Sequence, residues 1–322
     1  MSLFPSFEAE DRPEQAARLA PRLRKLAARG VYFGTSSWKY EGWLGTIYRP
    51  GRYDTHGKFS TAKFRRECLA EYAETFPTVC GDFAFYQFPT ADYWAQLFAA
   101  TPPEFLFGFK VPEDITVARW PGHGRYGTRA GLENEHFLDA AAFRRHFAGP
   151  LEPYRGRVAT LIFEFGTFGR STFPRPEDFF ERLDPFLAAL PPGFRYSVEI
   201  RNPEFLGPAY FSLLRDRGVA HVFNAWTRMP RLDEQVALPG AFTADFTVVR
   251  ALLAQGRAYE DAVRAFTPYR AVQVPNIPTR EAMGRVVERA LREKEPAYVF
   301  VNNRLEGFAP ATIEAVAESL AP

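Results

Sequence analysis

Residues 159–202, ATLIFEFGTFGRSTFPRPEDFFERLDPFLAALPPGFRYSVEIRN, carry the pattern that decides the fold. Two short, mostly apolar runs, 159–165 and 195–200, flank a helix-like stretch at 175–189. Apolar runs without clean alternation are expected of a parallel sheet covered by helices outside and packed by side chains inside. Outward from this unit the same alternation repeats. Further β-rich runs lie at 31–35, 78–86, 105–112, 220–225, 246–251 and 297–303, and helical patterns at 62–75, 91–100, 210–216, 259–265 and 280–294. Eight strands alternating with helices predict an α/β fold, a (β/α)8 TIM barrel. Ahead of them, residues 13–28 form a helical pattern with Ala17, Leu19, Leu23 and Leu26 on one face, stopped by Gly30. Residues 1–30 are therefore read as an N-terminal helical extension and 31–322 as one barrel domain.

Composition agrees with a large core. The chain has 322 residues, 46% hydrophobic and 24% charged, with 32 Phe, 14 Tyr and 5 Trp, which excludes disorder and collagen-like repetition. Its 40 Lys+Arg against 38 Asp+Glu leave a net charge of +2, so charge balance gives no general pull toward nucleic acid or an acidic membrane. Cys68 and Cys80 are too few for a disulfide framework and have no metal-ligand spacing. The acidic N-terminus lacks the basic start of a signal peptide, and no apolar run approaches the ~18 residues of a membrane span, so a cytoplasmic location is expected.

Two segments interrupt the alternation. Residues 113–135, just after the third barrel strand, read as a long Gly- and Arg-rich loop with no pattern of its own, either functional or a lid. Residues 228–240 read as a Pro-capped surface connection without chemical content.

Barrel enzymes hold their chemistry at the C-terminal ends of the strands. Here those ends carry Trp38, Asp82, Tyr86, Lys110, Glu164, Glu199, Arg201, Asn224, Trp226, Arg250, Asn302 and Asn303. Glu199 and Arg201, two apart on a strand, point the same way, as an acid/base group with its partner or as a plain buried ion pair. Glu164 stands in the apolar run LIFEF and needs a partner or a raised pKa; Lys110 or Arg201 would serve. Phe83, Phe85, Phe107 and Phe109 are read as core. No His or Cys cluster at zinc spacing and no Gly-rich phosphate cradle occurs; no cofactor is expected, and magnesium on Asp82, Glu164 and Glu199 stays open.

The ordered segments GTSSWKYEGW, FAFYQFPT, TPPEFLFGFKVPEDIT, LIFEF, SVEIRNPEF and VFVNNRLEGFAP resemble the YecE-like family, also called domain of unknown function 72. That resemblance implies a TIM barrel whose activity is not established. It places family motif positions on Gly34, Thr35, Ser36 and Trp38, on Phe85 and Tyr86, on Lys110, Ile115 and Thr116, on Glu199 and Arg201, on Arg250, and on Asn302 and Asn303. Cys80 and Asp82 replace the family's Glu-x-Asn, Glu164 to Thr167 replace its Gln-x-Pro-Pro, and Leu252 and Leu253 replace its His-Gly. The chain thus resembles a divergent subgroup.

Three functions fit the residues. The first is an enzyme, a hydrolase, lyase or isomerase, using Glu199, Arg201, Lys110 and Glu164 on a small polar anion of sugar or phosphate type, bound by the remaining strand-end residues. Two carboxylates on neighbouring strands also fit a glycoside-type reaction. The second is nucleic-acid binding through RWPGHGRYGTR (119–129), with Arg119, Arg125 and Arg129 and exposed stacking rings Trp120 and Tyr126. The third is a catalytically silent barrel that holds a metabolite or a protein partner.

Overall fold

The computed structural model describes residues 12–320; the N-terminal segment read above for targeting lies mostly outside them. Ten strands occur among the described residues. Eight parallel ones close a barrel in the order β1-β10-β9-β8-β7-β6-β5-β4: β1 Val31–Thr35, β4 Thr78–Gly81, β5 Leu106–Lys110, β6 Val158–Glu164, β7 Tyr196–Glu199, β8 Ala220–Ala225, β9 Thr247–Ala251 and β10 Ala297–Val301. The other two, β2 Asp54–Thr55 and β3 Lys58–Phe59, pair antiparallel in the connection after β1. All eight barrel strands coincide with sequence-predicted runs. The longest expected run, 78–86, stops at Gly81, where the chain turns into a 3-10 helix, Asp82–Ala84.

Helices cover the outside, among them Thr61–Thr75, Ala91–Ala99, Pro176–Ala188, Pro208–Asp216, Tyr259–Phe266, Ile277–Glu293 and Ala309–Ser319. Their starts are conventional. Ser60 and Thr90 accept the backbone N–H of Lys63 and Tyr93, each at 3.2 Å, satisfying donors that a first turn leaves free. The N-terminal helix Glu14–Ala27 buries Ala16, Leu19, Ala20, Leu23 and Leu26, so the contact face is one residue off at Ala16, and Ala17 is exposed.

Strand parity positions the site. The barrel interior is filled by Cys80, Ile162, Val222, Val248 and Phe300, and the Phe300 ring occupies the space beside Gly108, where a Cβ would stand only 2.9 Å from it. Two residues further along come Lys110, Glu164, Asn224 and Arg250, still within their strands and hence on the same inward face, while Asp82 and Asn302 lie just past the ends of β4 and β10. An apolar plug thus underlies a polar layer at the C-terminal mouth. His221, at the start of β8, belongs to the opposite end. It is buried against Tyr210, Phe211 and Phe223, and burial pushes its pKa down to about 3, so the ring stays neutral.

Both interrupting segments are more ordered than their sequence suggested. Within 228–240 the short helix Leu232–Val236 brings Gln235 into full burial, where it accepts from Asn224 N (3.1 Å) and donates to Asn224 O (2.7 Å) and Pro230 O (2.6 Å). That connection is therefore a brace for β8 and not a surface strap. Residues 113–135 contain a helical turn Glu113–Thr116, a 3-10 segment Gly124–Arg129 and an antiparallel bridge between Arg119 and Glu133.

Candidate functional site at the barrel mouth

Glu164 and Glu199 end neighbouring strands as register partners, which sets two like charges side by side, an arrangement unfavourable by itself. Three cations converge on them. Arg250, from β9, donates Nη1 to both carboxylates, and Arg201 Nη2 lies 2.5 Å from Glu199 and 3.2 Å from Glu164. Lys110 Nζ lies 3.2 Å from Glu164 and 3.0 Å from Asp82, with its charge 3.6 Å from the centre of the Phe85 ring. The Arg201 guanidinium stacks on Trp226 at 3.9 Å.

The two glutamates differ in access. Glu199 is completely buried, whereas the Glu164 side chain retains 17% exposure toward the mouth. Burial would raise the pKa of Glu164, but Lys110, Arg201 and Arg250 outweigh it and hold the carboxyl well below its ordinary value of 4.5. Lys110 is the mirror case: burial pulls it down, and Glu164 and Asp82 carry it above 10.5. Both groups are charged at neutral pH.

Of the residues nominated from sequence, Lys110, Asp82, Glu164, Glu199, Arg201, Trp226 and Arg250 come together. The others do not. Asn224 is buried as part of the framework, its amide donating to Ile200 O (3.2 Å). Asn302 accepts Arg304 N (2.9 Å) and Asn303 accepts Ala309 N (2.8 Å), so both side chains shape the turn and helix start after β10. Trp38 is buried, with its carbonyl taken by Tyr48 Oη. Tyr86 is exposed and lies under Arg125, whose guanidinium is 4.1 Å from the ring centre. The residue missed in the cluster is Phe85, assigned to the core in a sequence where Phe is too common to stand out.

The loop arginines are committed to local carboxylates: Arg119 to Glu133 (3.0 Å), Arg125 to Glu113 (3.1 Å) and Arg129 to Asp114 (3.4 Å). Trp120 is not an exposed platform, since only 5% of it is accessible and Arg129 covers its ring at 4.1 Å. Among the described residues no three His, Cys, Asp or Glu side chains are placed to hold a metal ion, and the three carboxylates considered for magnesium are paired with Lys110, Arg201 or Arg250. A recess of about 790 Å³ lies away from this chemistry, near the strand starts, lined by Arg24, Ala73, Phe76 and Phe105. Its arginines Arg12 and Arg52 are already paired with Glu74. The charge constellation, not cavity size, therefore marks the candidate site.

A family model described as "Protein of unknown function DUF72" matches residues 32–322. The chain belongs to the DUF72 family. A DUF72 family protein from Thermotoga maritima is 20% identical, with 89% of this chain and 98% of that one covered and a TM-score of 0.60. Another, from Enterococcus faecalis, is 17% identical over 89% of this chain and 96% of its own, with a TM-score of 0.57. At these identities the likeness establishes the barrel alone. No curated protein matches the chain. No helix among the described residues is long and apolar enough to cross a membrane.

Proposed function

We propose that this DUF72 barrel is an enzyme acting on a small polar anion at its mouth, with Glu164 as proton acceptor. The observation that carries this reading is the asymmetry within the cluster: Glu164 is ionised and open to the mouth, while Glu199 is sealed beneath it between Arg201 and Arg250. Glu199 then positions the two guanidiniums, and Lys110 and Arg201 face the place where negative charge would develop. A carboxylate held so far down is a weak base at rest. A ligand anion that draws Lys110 away from Glu164 would raise its basicity when substrate is present. Proton abstraction, as in a lyase or isomerase, suits this better than glycoside hydrolysis, which requires one carboxylic acid with a raised pKa.

The test is a thermal-shift panel of sugar phosphates, sugar acids and small carboxylates at constant ionic strength. An anion at about 100 times its dissociation constant stabilises by about 2.7 kcal/mol, roughly 4 °C in a chain of this length. We expect at least one such response in the wild type and its loss in Lys110→Met, with Trp226→Ala as a milder change at the same site. A panel silent on the wild type, or unchanged in both variants, overturns the proposal.

Nucleic-acid binding is disfavoured by the local pairing of the loop arginines. Replacing Arg119, Arg125 and Arg129 together by alanine is expected to change oligonucleotide affinity less than about threefold, with a shallow salt dependence. A slope that falls by two to three units on this substitution would restore the loop as a nucleic-acid surface. A silent barrel predicts anion binding that Glu164→Gln leaves intact and no turnover with any bound anion.

A further inference from the structure

The charges at the mouth do not cancel within its buried part. Lys110, Arg201 and Arg250 contribute three positive charges, and Glu164 and Glu199 two negative ones, all on side chains largely or wholly withdrawn from water. The remaining negative charge is Asp82, and it differs in kind. It stands in the first turn of the 3-10 helix that follows β4, its side chain is 50% exposed, and it meets the cluster through a single ion pair, 3.0 Å from Lys110 Nζ. Lys110 has its other directions filled by Glu164 and the Phe85 ring. Asp82 thus occupies the solvent-facing position on a buried ammonium and can swing into water at little cost, which Glu164 and Glu199 cannot do.

A second observation is independent of this count. Arg201 Nε and Nη1 and Arg250 Nε are buried donors without an acceptor, although buried donors are ordinarily satisfied. One buried acceptor beside them, Glu199 Oε1, is also without a hydrogen bond, so three orphaned donors face one orphaned oxygen and the surplus calls for an acceptor rather than another full charge.

We infer that the substrate carries a single negative charge, a carboxylate, which takes the place of Asp82 on Lys110, together with an uncharged hydroxyl or carbonyl oxygen that accepts from Arg201. The inference rests on reading the mouth as a ligand site and names the ligand's class: a hydroxy- or keto-monocarboxylate. A phosphate dianion in the same position would leave the cluster one negative charge in excess once Asp82 is displaced, and a neutral sugar would not compete with Asp82 at all.

The experiment uses the full chain with Asp82→Asn, a half-exposed position whose replacement leaves the core untouched, and titrates acetate, glycolate, sulfate and phosphate at fixed ionic strength by calorimetry and thermal shift. With the internal competitor gone, acetate and glycolate are expected to bind at least about tenfold more tightly than to the wild type, glycolate more tightly than acetate because it adds a hydroxyl acceptor, and sulfate and phosphate to gain less. Equal affinities in the two proteins, or a larger gain for the divalent anions, would overturn the inference. Failure of the enzyme proposal looks different: the wild type would ignore every anion while Asp82→Asn still gained acetate.

Discussion

Gly34→Ala is expected to abolish folding, with a loss above about 4 kcal/mol and protein recovered only in the insoluble fraction. Gly34 stands in β1 where β1 meets β4, a junction whose register consists of two pairs, Gly34 with Thr78 and Thr35 with Val79. A Cβ there would lie 2.0 Å from the Thr78 carbonyl oxygen and 2.7 Å from its carbon. The obstruction is backbone, so no rotamer change relieves it, and the two strands must separate at the seam that closes the barrel. Gly166→Ala serves as the control. Nothing lies within 4 Å of its prospective Cβ, and a change within about 0.5 kcal/mol is expected there. Soluble Gly34→Ala protein with a melting temperature within a few degrees of the wild type would contradict the close approach.

Arg250→Met is expected to cost about 3–5 kcal/mol at pH 7, read as a fall in melting temperature of about 4–7 °C in a chain of this length. Arg250 bridges two carboxylates that β6 and β7 place side by side, and its loss leaves the fully buried Glu199 with one guanidinium. The pH dependence follows from Glu164. Its folded pKa is depressed, so its contribution is fully present above the ordinary carboxylate range and is lost as the pH falls through the folded value. With one of three cations removed, that folded pKa rises toward ordinary, and the deficit of the variant must shrink in acid. A deficit under about 1 kcal/mol, or one that stays constant from pH 7 down through the carboxylate range, would show that Arg250 is not holding the pair.

Legibility in the sequence followed periodicity. The eight barrel strands and the inward side chains at their C-terminal ends could be read because a strand alternates with period two and a barrel has one functional rim. That is why Lys110, Glu164, Glu199, Arg201 and Arg250 could be named together. Asn302 and Asn303 carried the same signal but spend their side chains on backbone N–H groups, a use that asparagine shares with ligand binding and that residue type cannot distinguish. The segment at 228–240 hid Gln235 because its helix, five residues long, is too short to show a period. In the loop after β5 the pairing of Arg119, Arg125 and Arg129 with carboxylates 12 to 15 residues away obeys no fixed spacing, so a basic segment and an internally neutralised one look alike as text.

The bond from Arg250 to Glu164 spans 86 residues and that to Glu199 spans 51. A chain emerging from the ribosome has therefore displayed both glutamates long before the guanidinium that reconciles them exists. Before β9 is made, the carboxylates of β6 and β7 have only Lys110 and Arg201 of the site's three cations as partners. Assembly of the site is thereby tied to completion of the sheet: a fragment ending before residue 250 cannot present the cluster, and two fragments meeting in trans can do so only by bringing β9 to its place between β8 and β10.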